Sequence, residues 1–204
     1  FANFADQIEK GAKPVDVASA ALEKHWRVIF NGDNYSDEWP IEAGKRGVTR
    51  IDSSVDSMAA IAKPKNIELF EKMNVMSKRE TEARAIVMYD HYSGTVEMEA
   101  LTMIDMINQH IIPSVKNTGD QPALVSELEK AVGLVEAGLH SMHAASDEFS
   151  KATAARVLRL ETMEVARGPC DKAEAVVPEE LWTLATYKEL LFLDSQQGDS
   201  CVYD

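Results

Sequence analysis

Cysteine and basic residues are both scarce in this sequence of 204 residues. Cys170 and Cys201 form no C-x-x-C pair, which argues against a zinc ribbon, a thioredoxin-type motif or a disulfide framework and indicates a reducing compartment. Lys and Arg together number 21 against 34 Asp and Glu, so the net charge is −13. Since Lys and Arg neutralise phosphates and anionic lipids, this charge disfavours nucleic-acid binding and polybasic membrane anchoring.

Glycine, proline and long apolar runs are also in short supply. No run approaches the roughly 18 apolar residues of a membrane span, so we expect a soluble protein with no transmembrane segment. Peripheral association with a membrane complex stays open. The sequence has 10 Gly and 7 Pro, and its apolar residues recur every three or four positions. This pattern predicts an all-α protein.

The helical pattern predicts one domain with three regions. Residues 1–76 carry short helices and a turn rich in Asn, Gly and Asp. Residues 77–193 contain a long antiparallel hairpin of two helices and a closing helix, because a short connection joins the two long apolar patterns. Residues 194–204 form a polar tail that we expect to be loose.

The two arms of the hairpin are predicted at residues 78–117 and 122–175. Ser77 and Glu80 form a capping box that begins the first arm. Its inner stripe is expected to include Leu101 and Ile104, and Pro113 should bend or end it. The second arm has apolar or small residues in steps of four and three, which predicts one continuous helix with a weak point at Gly168 and Pro169.

One group of side chains has the spacing of a metal site. Glu136, His140 and His143 project to one side of a helix, so they could share an ion. A helix-bundle site would need further ligands from a facing helix, for which Glu97 and Glu99 are candidates. An ordinary solvated helix face explains the same residues, so the sequence predicts no metal site there.

Aromatic residues are concentrated near the end of the sequence, where Trp182, Tyr187 and Phe192 lie within a few helical turns of one another. These residue types dominate binding energies at protein interfaces, so we name them as candidate partner-binding residues. The alternative is that this helix, predicted at residues 178–192, closes the base of the bundle.

Several motifs give the sequence a family resemblance. Residues 29–39 read IFNGDNYSDEW and are followed by EAGKRG at residues 42–47. Further matching segments are NIELF at residues 66–70, EALTMIDM at 99–106 and LWTLATYKELLF at 181–192. In this order they resemble the C-terminal region of type III glutamine synthetases. The last segment departs from the family's W-P-L-P-T-Y pattern at Thr183 and Ala185.

The resemblance implies a non-catalytic chain. In this family the metal-binding glutamates, the ATP-binding residues and the glutamate-binding arginines lie in an upstream catalytic barrel, so no residue here inherits a catalytic or cofactor-binding role. Two functions stay open. In the first, the chain is a structural or linker subunit of a larger protein complex, with an algal plastid as a candidate setting. Alternatively, it is the C-terminal fragment of an active homo-oligomeric type III synthetase, which ligates ammonia to glutamate with ATP.

Overall fold

The computed structural model describes residues 2–119 and 121–192, apart from the side chains of Tyr187 and Lys188. Every regular element within these ranges is helical, which confirms the all-α prediction. No helix in this part of the chain is long and apolar enough to cross a membrane. The tail predicted at residues 194–204 lies outside the described residues.

The chain divides into two compact units, one ending at Asp52 and the other beginning at Ser53. The boundary predicted from the sequence lies at residue 76 instead. The difference arises because two short helices between residues 54 and 72 pack on the long helix that follows them. Whether the chain behaves as one domain stays a prediction.

The first unit contains three helices: α1 at Ala2–Glu9, α2 at Pro14–His25 and α3 at Glu38–Lys45. Pro14 begins α2, where its missing N–H costs nothing, and a 3₁₀ turn at Trp26–Val28 ends it. Helices α1 and α2 pack against each other. Gly11 makes the reversal between them with φ of 97°, a backbone conformation that glycine adopts without strain.

The second unit begins with α4 at Ser54–Ile61 and α5 at Pro64–Lys72. The long helix then runs from Lys78 to Asn117 as α6 (Lys78–Met106), a π-helical segment (Ile107–Ile111) and α7 (Ile112–Asn117). The predicted capping box is present at its start: the Glu80 N–H donates to Ser77 Oγ at 3.3 Å, and the Ser77 N–H donates to the Glu80 carboxylate at 2.8 Å.

Pro113 neither ends the long helix nor breaks it. The π-helical segment immediately precedes this proline, and the Ile112 N–H donates to the Ile107 carbonyl five residues back. This wider turn carries the helix past the residue that lacks an N–H. The predicted weak point at Gly168 and Pro169 also lies inside a continuous helix.

The predicted second arm of the hairpin is wrong beyond residue 143. Helix α8 spans Pro122–His143, and after a short break the chain continues as α9 at Glu148–Val157, a second π-helical segment at Leu158–Thr162, and α10 at Met163–Val176. Asp147 causes the new start, because its carboxylate accepts the Ser150 N–H at 2.9 Å and caps α9.

The three long segments form an antiparallel bundle. Lys172 on α10 contacts Glu127 on α8 with Nζ and Oε2 2.7 Å apart, which shows that α10 runs back along α8. The core along the bundle is made of valine, leucine, isoleucine and alanine side chains from all three segments. The hairpin prediction is therefore confirmed for the long helix and α8, and the bundle gains a third member.

The predicted closing helix is also divided. A 3₁₀ turn at Glu179–Leu181 and helix α11 at Tyr187–Leu191 replace one helix over residues 178–192. Thr186 starts the second of these, because its hydroxyl accepts the Glu189 N–H at 3.3 Å while the Glu189 carboxylate accepts the Thr186 N–H at 2.7 Å.

Candidate protein-interaction site

The C-terminal aromatic segment, residues 181–192, is attached to the bundle core through its first half. Leu181, Trp182 and Leu184 pack against the cluster that includes Ile107 and Val177. The Thr183 hydroxyl lies 2.9 Å from Nδ1 of His110 on the long helix, a second attachment. These contacts give Trp182 a structural role in closing the bundle.

The three candidate partner-binding residues of this segment differ in their surroundings. The indole N–H of Trp182 is buried and has no hydrogen-bond partner. Phe192 is more than half exposed, and the side chain of Tyr187 lies outside the described residues. Their role in binding a partner stays a prediction.

Of the candidate metal ligands, the structure brings His143 and Glu97 together but does not assemble a metal site among the residues it describes. The described ranges contain no group of three or more His, Cys, Asp or Glu side chains that could hold a metal ion. His143 contacts Glu97, one of the two proposed facing ligands on the long helix, with Nε2 and Oε1 2.7 Å apart. Glu99, the other proposed facing ligand, pairs with Arg159 at 3.2 Å. These glutamates join neighbouring helices of the bundle.

Cys170 is a poor nucleophile in this environment. Burial, followed by the nearby Asp171 carboxylate, raises the pKa of its thiol to about 11. Because the thiolate is the reactive form, almost none is present near neutral pH. The thiol points back along α10 and contacts the Ala166 carbonyl at 3.5 Å.

The turn motif at residues 29–39 is organised around an aromatic pair and an arginine. The rings of Phe30 and Trp39 lie with centroids 4.9 Å apart, and the Arg46 guanidinium lies 5.7 Å from the Trp39 ring. Arg46 also donates to the Ile29 carbonyl at 2.7 Å and pairs with Glu42 at 2.7 Å. This part of the motif therefore stabilises the first unit.

The long helix has a second apolar face that points away from the bundle. We define the outer seam as Val87, Gly94, Met98 and Leu101, all exposed and spaced by seven, four and three residues. The prediction that Leu101 lies on the inner stripe is wrong, because this leucine is 50% exposed. Asp90 and Asp105 are exposed along the same face.

The outer seam has the spacing of a helix-packing surface. Steps of seven, four and three place its residues in one row, with Asp90 in the longest gap, and such a row lets a second helix lie alongside. Gly94 has no atom within 4 Å of where a Cβ would stand, so a neighbouring backbone could approach there. The inner face of the same helix buries Ala85, Val96 and Ala100. The helix is thus apolar on two sides.

Comparisons with known proteins identify a family. The model of the glutamine synthetase C-terminal domain matches residues 15–130. The chain is 28% identical to the glutamine synthetase of Butyrivibrio fibrisolvens, an alignment covering 92% of this chain and 30% of that protein. It is 27% identical to the type-3 glutamine synthetase of Dictyostelium discoideum, over 84% of this chain and 28% of that protein. The chain therefore spans less than a third of the relatives it matches.

Proposed function

This chain belongs to the glutamine synthetase C-terminal domain family, and we propose that it works as a non-catalytic helical subunit that links proteins in a larger complex. The observation that carries the proposal is the outer seam of the long helix. Soluble helices normally have one apolar face and one polar face. A helix that already buries its inner face and still presents an apolar row outward has the composition of a helix between two partners.

The seam is well suited to protein contact. Val87 is 66% exposed and Met98 is 63% exposed, so both would lose water-accessible apolar surface when covered. Apolar burial contributes roughly 25 cal/mol per Å². Methionine also adapts its shape to irregular partner surfaces. The seam thus offers a central apolar strip at which binding energy can be concentrated.

The negative charge near the outer seam indicates the kind of partner that would bind there. Asp90 lies in the seven-residue gap of the seam, Asp105 lies four residues beyond Leu101, and the whole chain carries a net charge of −13. We expect a partner helix or groove that combines apolar side chains with basic ones opposite Asp90 and Asp105, since complementary potentials raise association rates and exclude wrong partners. An algal plastid as the setting remains a prediction from the sequence resemblance.

A second candidate function has its own support. The alignment covers nearly all of this chain but only 30% of the Butyrivibrio protein. The same sequence could accordingly be the C-terminal part of a type III glutamine synthetase that ligates ammonia to glutamate with ATP. In that case, the outer seam would contact the remainder of the enzyme or another subunit of its oligomer.

The native complex tests the proposal. We would isolate the protein from its source, measure its intact chain mass, and identify the subunits that co-purify in fixed stoichiometry. The linker proposal expects a chain close to 22.6 kDa with different proteins bound. A chain several times heavier with glutamine synthetase activity would establish the second candidate instead.

Substitution of the seam then tests the surface. Leu101→Glu should abolish reconstitution of the purified complex while leaving the helical circular dichroism unchanged. Val165→Glu, at an exposed apolar site on α10, is the matched control and should reconstitute normally. Normal assembly of the Leu101→Glu protein would show that the seam is not the contact. ATP-dependent glutamine formation by the purified 204-residue chain would contradict the non-catalytic assignment.

A further inference from the structure

The turn motif at residues 29–39 contains the only Asn-Gly pair of the sequence, formed by Asn31 and Gly32. Both residues are exposed. The Asn31 carboxamide and the Gly32 N–H make no hydrogen bond with any other residue that the structure describes. These are the two groups that react with each other when an asparagine loses its side-chain nitrogen, so the fold leaves both of them free to react.

The reaction needs only water as a co-reactant. The Gly32 nitrogen loses its proton and attacks Cγ of Asn31, a new C–N bond closes a succinimide ring, and the side-chain nitrogen leaves with a proton as ammonia. Water then opens the ring. Opening at Cγ gives aspartate, whereas opening at the main-chain carbonyl gives isoaspartate, in which Cβ and Cγ belong to the main chain. Either product adds one negative charge, because its carboxyl is ionised at neutral pH.

Gly32 favours ring closure because it has no side chain. A Cβ beside the attacking nitrogen would hinder its approach and restrict the backbone angles that the ring requires. The fold also requires glycine at this position, since a Cβ built on Gly32 would overlap the Phe30 ring. That ring packs against Trp39 with centroids 4.9 Å apart. The packing of the motif therefore demands the residue that makes Asn31 reactive.

The other asparagines of the sequence are not followed by glycine. Asn34 lies in the same turn and is also exposed, but the Tyr35 N–H that follows it donates to the Asp33 carboxylate at 2.9 Å. The N–H of the next residue is donated to a backbone carbonyl, at 3.1, 2.9 and 3.1 Å respectively, after Asn66, Asn74 and Asn117. Such a hydrogen bond must break before the nitrogen can attack. Sequence and structure together therefore distinguish Asn31.

We infer that Asn31 is a site of spontaneous deamidation, which converts the turn motif of the folded protein to aspartyl and isoaspartyl forms with time. The isoaspartyl form lengthens the main chain by one carbon between Phe30 and Gly32, so the Phe30 ring can no longer keep its close approach to Gly32. This modification lies on the first unit. It is independent of the outer seam and of the linker proposal.

Ageing of the purified full-length chain at mildly alkaline pH tests the proposal. Peptide mapping by mass spectrometry should show a gain of one mass unit at Asn31 at least about tenfold faster than at Asn34, the matched site in the same turn. The rate should rise with pH, since the attacking nitrogen must lose its proton. Ion exchange should resolve an acidic form that does not develop in Asn31→Gln, whose longer side chain would have to close a less favourable ring.

Ageing in urea separates the effect of the fold from that of the sequence. Folding should slow deamidation at Asn31 less than about tenfold, because no hydrogen bond of the turn has to open first. Stronger protection of Asn31 in the folded chain, or an Asn31 rate no higher than the Asn34 rate, would overturn the proposal.

The Asn31→Asp variant carries the charge of the product on an unaltered main chain. The isoaspartyl form, separated by chromatography, should therefore lose near-ultraviolet circular dichroism that this variant keeps. Identical spectra would contradict the predicted effect on the Phe30 ring.

Discussion

Gly138 on α8 lies directly against Leu158 at the start of the second π-helical segment. A Cβ built on Gly138 would stand 2.6 Å from Cδ1 of Leu158, closer than two carbon atoms that are not bonded to each other can approach. Leu158 is 1% exposed and packs among the core side chains, so its isobutyl group has little room to move. Because Gly138 has no side chain, α8 can lie this close to the π-helical segment that begins at Leu158.

We expect Gly138→Ala to lower the free energy of unfolding by about 1–2 kcal/mol, because overpacking of the core outweighs the better helix propensity of alanine. Gly133→Ala is the matched control on the same helix, where an added Cβ meets no atom within 4 Å. That variant should be more stable by about 0.5–1 kcal/mol. Urea denaturation measures both, and equal stabilisation of the two variants would contradict the close packing.

The cap of α9 should make stability depend on pH. The backbone N–H of Ser150, and then its hydroxyl, donate to the Asp147 carboxylate and hold its pKa below the usual range. A carboxyl whose pKa is lowered in the folded state stabilises the protein fully at pH values above its unfolded-state pKa of about 4. This stabilisation is lost as the pH falls through the lower folded-state pKa.

Asp147→Asn isolates this effect, since asparagine caps helices as well as aspartate does but does not titrate. Between about pH 5 and pH 2 the wild-type protein should lose more stability than the Asn variant. Asp147→Ala should be less stable than the Asn variant throughout. Denaturation series at several pH values provide the comparison, and parallel pH profiles for wild type and Asn variant would refute the assignment.

The thiol of Cys170 should be protected in the folded protein. Its pKa is raised to about 11 from the ordinary value of 9.0, chiefly by burial. At pH 8 this lowers the thiolate fraction about 100-fold. In a Cys201→Ser background, reaction with Ellman's reagent should be slower than in urea by at least that factor. Rapid labelling of the folded protein would show that the site is open to solvent.

Trp182 offers a test that separates core packing from docking. Because the indole contacts the bundle core, Trp182→Ala should destabilise the fold by about 2–4 kcal/mol. Its buried N–H has no acceptor, so Trp182→Phe, which removes that N–H, should cost much less. If Trp182→Ala keeps its full stability and instead loses its partner, the aromatic segment is a docking site.

Local signals in the sequence were sufficient for some helix boundaries. Ser77 and Glu80 form the predicted capping box because both partners lie within one turn and need no other part of the chain. The break before α9 was missed for the opposite reason. Apolar spacing continues through Met142, Ala145 and Phe149, and it conceals a cap that depends on Asp147.

The outer seam could not be identified from periodicity. Leu101 and Ile104 are close in sequence and both apolar, and on a helix that is apolar on two sides their spacing does not reveal which one faces inward. Packing decides this: Ala100 is fully buried and Ile104 packs on the core, which turns Leu101 outward. The spacing of His140 and His143 likewise could not show whether a metal site exists. Spacing within one helix does not reveal which side chains of another helix lie close to it, because tertiary packing determines that.

The π-helical segments make the long helices tolerant of changes in length. Each π-turn contains one residue more than an α-turn, which is equivalent to a one-residue insertion absorbed without leaving the helix. Removal of one residue from Ile107–Ile111 would therefore convert the segment to regular α-helix. The buried faces of α6 and α7 would keep their packing partners if Pro113, which the wider turn accommodates, were also replaced. Homologous chains should accordingly differ by single-residue gaps at these two segments more readily than elsewhere in the bundle.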